Sequence, residues 1–228
     1  MQPGAESGPT GWGLWITGPE AGKSLQYLFG VRPVGTLFYQ NSSWDFRTFD
    51  FDRDVKLMDE KLGPIRNARN PDLKNFKDRG GKLILYHGWS DPAIAPTSTV
   101  NYYQAVISKM GQKDASDFVR LYMVPGMQHC GSGPGPNNFG SVPIAKADAQ
   151  HSMQAAIERW VKEGIPPDAI IATKFKTDGI PASGVVRTRP LCAYPQEAMY
   201  KGSGSIDDAS NFMCSSSPVL RSGVAAGQ

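Results

Sequence analysis

Histidine and cysteine are scarce in this chain, and the shortage narrows its chemistry. Of 228 residues, three are histidine (His87, His129, His151) and three are cysteine (Cys130, Cys192, Cys214). Their spacing offers no zinc-ligand pattern. No run of apolar residues approaches the length that spans a bilayer, which argues against a membrane protein. The net charge is only +3, with no basic cluster and no acidic tail, so nucleic acid is not an expected partner. Residues 1–11, polar and rich in helix breakers, do not read as a secretory leader.

What remains is a globular composition: 40% hydrophobic, 20% charged and 10% aromatic. With 25 Gly and 18 Pro the chain is loop-rich, and its length suits one large domain or two small ones. An odd cysteine count invites a pairing argument. Cys192 and Cys214 are close enough to clip one loop, which leaves Cys130 to a partner elsewhere; three reduced thiols are the alternative.

Residues 1–54 alternate short apolar runs with Gly, Pro and Asn, which predicts turns and short helical pieces. Lys82 to Tyr86 reads as a strand. Val100, Tyr103, Val106, Ile107 and Met110 fall at helical spacing over 96–110, with Gly111 as the stop. Phe118 to Val124 is a second strand, followed by a Gly-, Pro- and Asn-rich excursion over 131–143. A helix is expected over 145–163, ended by Gly164, with His151 on its exposed half. Ala169 to Phe175 and Val185 to Leu191 are further strands, and residues 215–228 a frayed tail. The alternation predicts an α/β sheet covered by helices.

Two strand ends carry the candidate chemistry. The first strand runs through His87 and Gly88 into Asp91-Pro92; the second runs into Pro125-Gly126-Met127-Gln128-His129-Cys130. Loops at strand ends are where such sheets place functional groups. Asp91 is equally readable as a turn-forming helix cap. His129 is the best base, because its Gly-rich loop permits close approach of a substrate. His87 ends the strand leading to Asp91 and is placed to support it by hydrogen bonding. An acid followed by a histidine is two thirds of a Ser-His-Asp arrangement, in the chain order used by α/β-hydrolases.

No nucleophile is evident. Gly88-Trp89-Ser90-Asp91-Pro92 half matches G-x-S-x-G, but its last residue is Pro, and Ser90 reads better as a turn residue. Residues 18–24 imitate a phosphate loop one residue short and carry a Pro in the cradle. Asp50, Asp52 and Asp54 imitate a calcium loop without its glycine or closing acid, and read as a solvated acidic turn ahead of a short helix.

Residues 11–19, Tyr86 to Asp91, Val124 to Cys130, and Arg189 to Pro195 with Tyr200 to Gly204 resemble the tannase/feruloyl esterase family of α/β-hydrolases. The resemblance runs from about residue 3 to about residue 214. It implies that Asp91 is the triad acid and His129 the general base. It also implies that the nucleophilic serine follows a cysteine bonded to Cys130, both in a segment N-terminal to this chain. The expected architecture is therefore the C-terminal part of an α/β-hydrolase. In it, 1–54 is the trailing end of a lid insertion, 55–214 belongs to the catalytic domain and 215–228 is a flexible tail.

The implied activity is serine carboxylic-ester hydrolysis of aromatic-acid esters such as gallates or hydroxycinnamates, outside the cytoplasm. Without the serine the chain alone is expected to be inactive and, with sheet edges unpaired, poorly soluble. A non-catalytic binding or assembly remnant is the alternative. No cofactor is expected within the chain; family members often hold calcium in the lid, here in the absent part.

Overall fold

The chain enters its fold through helices rather than strands. In the computed structural model, residues 4–140 and 147–216 are described. A helical turn at Gly13–Thr17 precedes α1 (Leu25–Pro33), a second turn spans Val34–Phe38, and α2 covers Phe51–Arg66. Ser24, the serine of the imitation phosphate loop, is buried and caps α1, its hydroxyl accepting from the Tyr27 N–H at 3.2 Å.

The acidic stretch is not a solvated turn before a short helix. Asp50 caps α2, accepting from Asp52 and Arg53 N–H at 3.0 and 2.9 Å, and the helix runs for 16 residues. Asp54 is buried because donors surround it: the Arg53 guanidinium at 2.7 Å, the Asp50 N–H at 2.8 Å and the Tyr39 hydroxyl. The Arg53 hydrogen bond does most to hold its carboxyl well below the usual range, and burial opposes it. Tyr39 stacks on Trp44 at 4.5 Å, and Trp44 leads through Phe49 to Phe51.

Next come α3 (Lys74–Asp78), β1 (Leu83–Gly88), α4 (Pro96–Met110), α5 (Gln112–Ser116) and β2 (Val119–Val124). β1 and β2 are parallel, in register from Leu83 opposite Val119 to Gly88 opposite Val124. Parallel neighbours need a crossover, and α4 supplies it, ending at Gly111 with φ 85°. Val100, Tyr103 and Val106 of α4 pack on Val119, Leu121 and Met123. Both expected strands and this helix are present with boundaries shifted by at most two residues.

The later helix, α6 (Met153–Glu163), begins well after the expected start. Residues 145 and 146 lie outside the described part. From Asp148 the chain makes a turn, in which Oδ1 accepts from Gln150 and His151 N–H at 2.9 and 3.1 Å. Ser152 then caps the helix, accepting from Ala155 N–H at 3.3 Å. His151 is accordingly in a turn, its Nδ1 2.7 Å from Asp148, and not on a helix face.

β3 (Ala169–Phe175) and β4 (Val185–Cys192) form an antiparallel pair, and β5 (Gln196–Tyr200) pairs with β6 (Phe212–Ser216). An antiparallel bridge between Tyr122 and Ala193 joins this extension to the outer edge of β2. Among the described residues no strand pairs with the other edge of β1. Cys192 and Cys214 are disulfide-bonded, tying the end of β4 to β6. Ser215 and Ser216, expected in the tail, pair with Glu197 and Gln196; residues 217–228 lie outside the described part.

Candidate active site

The two strand-end loops meet at a glycine. A Cβ on Gly88 would sit 2.2 Å from the Met127 carbonyl oxygen and 2.9 Å from that of Gln128, both rigid main chain. The contact is closed by hydrogen bonds from Trp89 N–H to Val124 at 2.9 Å and from Ser90 N–H to Met127 at 3.1 Å. The histidine loop folds back on itself in the same way. Gly126 and Gly133 hold φ of 73° and 95°, and a Cβ on Gly133 would be 2.2 Å from the Gly126 oxygen. Glycine is needed here for the closeness of backbones.

This packing brings Asp91 and His129 together: Nδ1 of His129 lies 2.9 Å from Oδ2 of Asp91. His87 comes to the same oxygen, with Nε2 at 3.1 Å, as its position at the end of the strand led one to expect. The other carboxylate oxygen accepts from the N–H groups of Ala93 and Ile94 at 2.7 and 3.0 Å. Asp91 is 4% exposed. Burial pushes its carboxyl upward, but hydrogen bonds from His87, Ile94, His129 and Ala93 outweigh that and hold it down at about 2. An ionised carboxylate only accepts, so both imidazoles present an N–H to it. His129 then carries its proton on Nδ1, leaving Nε2 as the basic nitrogen. Among the described residues nothing hydrogen-bonds that Nε2.

The N-terminal helical segment roofs both loops. Trp15 meets the His129 ring edge-on, with centroids 4.6 Å apart. Gln128 is fully buried; its Nε2 donates to the Gly4 and Ser7 carbonyls at 2.8 and 2.5 Å, and its Oε1 accepts from Thr10 at 2.6 Å. On the other loop, Gln26 of α1 donates to the Ala93 carbonyl at 2.8 Å. Thr99, whose hydroxyl lies 2.7 Å from Nδ1 of His87, and Gln26 carry no sequence signal, and Trp15 and Gln128 fall within the stretches of family resemblance without standing out as part of the site. The proximity of Gln128 to His129, and the tryptophan density of residues 12–15, were the other available signals.

Cys130 is an exposed free thiol with φ 60°, directly after the histidine. Ser90 is fully buried inside the turn. Its burial fits a turn role and not that of an attacking group. A cavity of about 660 Å³ touches both loops through Trp89, Pro125 and Gly126, but neither Asp91 nor His129 lines it. Among the described residues no three His, Cys, Asp or Glu side chains are grouped to hold a metal ion.

Parallel strands joined by a helix, with an acid and a histidine paired at successive strand ends, define an α/β fold of the α/β-hydrolase type. The chain belongs to the tannase and feruloyl esterase family, whose profile matches residues 3–215. It is 39% identical over 242 residues to an uncharacterized esterase of Xanthomonas campestris, covering 96% of this chain and 42% of the relative. It is 41% identical over 179 residues to the mono(2-hydroxyethyl) terephthalate hydrolase of Piscinibacter sakaiensis, covering 75% of this chain and 27% of that protein. Among solved structures, feruloyl esterase B from Aspergillus oryzae superposes with a TM-score of 0.72 at 28% identity, over 80% of this chain and 36% of the other. An Aspergillus oryzae esterase gives 0.74 at 30% identity, again over 80% of this chain and 36% of the other. The chain thus spans well under half the length of these relatives.

Proposed function

We propose that this chain carries the acid and base of a serine carboxylic-ester hydrolase acting on esters of aromatic acids. The observation that supports it most is the 2.9 Å contact between Asp91 and His129, made by side chains 38 residues apart at neighbouring strand ends. Asp91 orients the imidazole and stabilises its charged form. Nε2 of His129 takes the serine hydroxyl proton as the oxygen attacks the ester carbonyl, then returns that proton to the departing alkoxide. Water repeats the exchange in reverse and releases the acid.

The serine belongs to a part of the protein outside these 228 residues, in keeping with the share of its relatives that the chain covers. Cys130, exposed beside the base, bonds to a cysteine next to that serine, and residues 1–54 form the trailing end of a lid over the site. Preference for aromatic acids is in keeping with Trp15 against the imidazole and with the printed activities of the feruloyl esterase and terephthalate hydrolase relatives. The Cys192–Cys214 disulfide favours a compartment outside the cytoplasm.

A fluorophosphonate probe, which bonds covalently to an activated serine, tests the reading on the protein as its gene encodes it. Labelling that is competed by methyl ferulate or methyl gallate and lost in His129→Ala is the expected result. Labelling indifferent to His129, or hydrolysis of neither ester, would overturn it.

A further inference from the structure

The carboxylate of Asp91 is meant to orient His129, so something other than His129 must orient the carboxylate. The carboxylate is planar, so its two oxygens turn together about the Cβ–Cγ bond; Oδ1 accepts from the Ala93 and Ile94 N–H groups, and Oδ2 accepts from partners of its own. Those partners are His129 itself, at 2.9 Å, and His87, at 3.1 Å. Of the two, only His87 is independent of the group being oriented, and it braces the carboxylate on the oxygen that Ala93 and Ile94 do not touch.

His87 is suited to the task. It lies in β1, opposite Met123 of β2, so its backbone is fixed by the parallel ladder. Its side chain is 11% exposed. Its Nδ1 lies 2.7 Å from the hydroxyl of Thr99, in the first turn of α4. A neutral imidazole has one donor and one acceptor, and Asp91 takes only donors. With Nε2–H committed to Asp91, Nδ1 is an acceptor and the Thr99 hydroxyl donates to it. The other tautomer would place the lone pair of Nε2 against the carboxylate, so it is Asp91 that selects the Nε2–H form, and the Thr99 hydroxyl turns to donate to Nδ1.

We propose that His87 is a positioning residue for the acid, and that Thr99 holds the His87 ring in the orientation in which its Nε2–H meets Asp91. The result is a directed chain, Thr99 to His87 to Asp91, with His129 donating to the same oxygen from the opposite side. This rests on the ester-hydrolase reading for its consequence in turnover, but the tautomer assignment stands apart from it.

The test uses the protein as its gene encodes it, with ¹⁵N-labelled histidine. At pH 8 the imidazole correlation spectrum is expected to show His87 protonated on Nε2 and His129 on Nδ1. Thr99→Val is expected to shift the His87 ring resonances as the ring loses its anchor and to lower kcat on methyl ferulate about 10-fold with KM changed less than about 2-fold. Thr99→Ser, which keeps the hydroxyl, restores both spectrum and kcat. His87→Leu lowers kcat by about 10- to 100-fold, and His87→Gln, which keeps a donor at that reach, recovers most of it.

A His87 protonated on Nδ1 alone overturns the proposal, as does a Thr99→Val variant with unaltered spectrum and kcat. A loss in Thr99→Val that Thr99→Ser shares also overturns it, since that would trace to helix packing. If the wild-type protein hydrolyses neither methyl ferulate nor methyl gallate, the ester-hydrolase reading has failed. The spectra of wild type, Thr99→Val and Thr99→Ser then decide the His87 assignment alone.

Discussion

Nδ1 of His129 donates to Oδ2 of Asp91 across 2.9 Å, and the pairing exists because Gly88 lets two loops touch main chain to main chain. No side chain could stand at Gly88 without displacing the Met127 carbonyl, which is two residues from His129. Gly88→Ala is therefore expected to push the histidine loop away. The loss of stability should be about 1–3 kcal/mol by strain alone, and the imidazole should leave Asp91. Chemical denaturation and the His129 Nδ1–H resonance check this; a variant with wild-type stability and an intact resonance would contradict it.

Gln128 makes the second prediction. Its amide is fully buried and joins three groups of the N-terminal segment to the histidine loop, at Gly4, Ser7 and Thr10. Gln128→Leu keeps the volume and removes the hydrogen bonds to the Gly4 and Ser7 carbonyls, at about 0.5–1.5 kcal/mol for each one lost. Limited proteolysis should then cut within residues 4–17, and the edge contact between Trp15 and His129 should be lost. Unaltered resistance to protease would count against this role.

Acid should act through Asp91 in a defined window. Its folded value, about 2, lies below the unfolded value of about 3.9. The stability it contributes is complete above the unfolded value and is lost as pH falls through the folded one. Unfolding free energies of wild type and Asp91→Asn should therefore converge between about pH 4 and about pH 2. Curves that stay parallel through that range would show that Asp91 is not held ionised by its four donors.

The Cys192–Cys214 bond closes a loop of 22 residues between β4 and β6. A loop of that length predicts about 3 kcal/mol of stabilisation. Cys192→Ser with Cys214→Ser should lose that amount in denaturation while the β1–β2 loops keep the Asp91–His129 contact. Loss of the contact together with the bond would mean that the extension and the site are one cooperative unit.

Much of this is legible in the sequence. The apolar run ending in His87-Gly88, the restricted Asp91-Pro92 turn and the second run ending in His129 are local signals, and the two strands they predict are present, paired in parallel. The spacing of Cys192 and Cys214 admits both a clip and two reduced thiols, and the structure has the clip. What was hidden depends on distant partners. Asp54 looks like a solvated acid until Tyr39 and Arg53 close over it. Gln128 and Thr10 are 118 residues apart, and no local pattern announces that a polar side chain will be buried by such a partner. The start of α6 was misplaced because its apolar periodicity continues upstream, whereas the Asp148 turn and the Ser152 cap fix the boundary.

The account turns on Asp91 and His129 working as one acid–base pair. The most direct measurement is kcat/KM on methyl ferulate, for the protein as its gene encodes it, in wild type, Asp91→Asn, His129→Ala and the double variant. Loss of about 10⁴-fold in Asp91→Asn is predicted, with the double variant no worse than His129→Ala alone, because the two side chains act as a unit. Activity within about tenfold of wild type in either single variant, or losses that multiply in the double variant, would contradict the pairing.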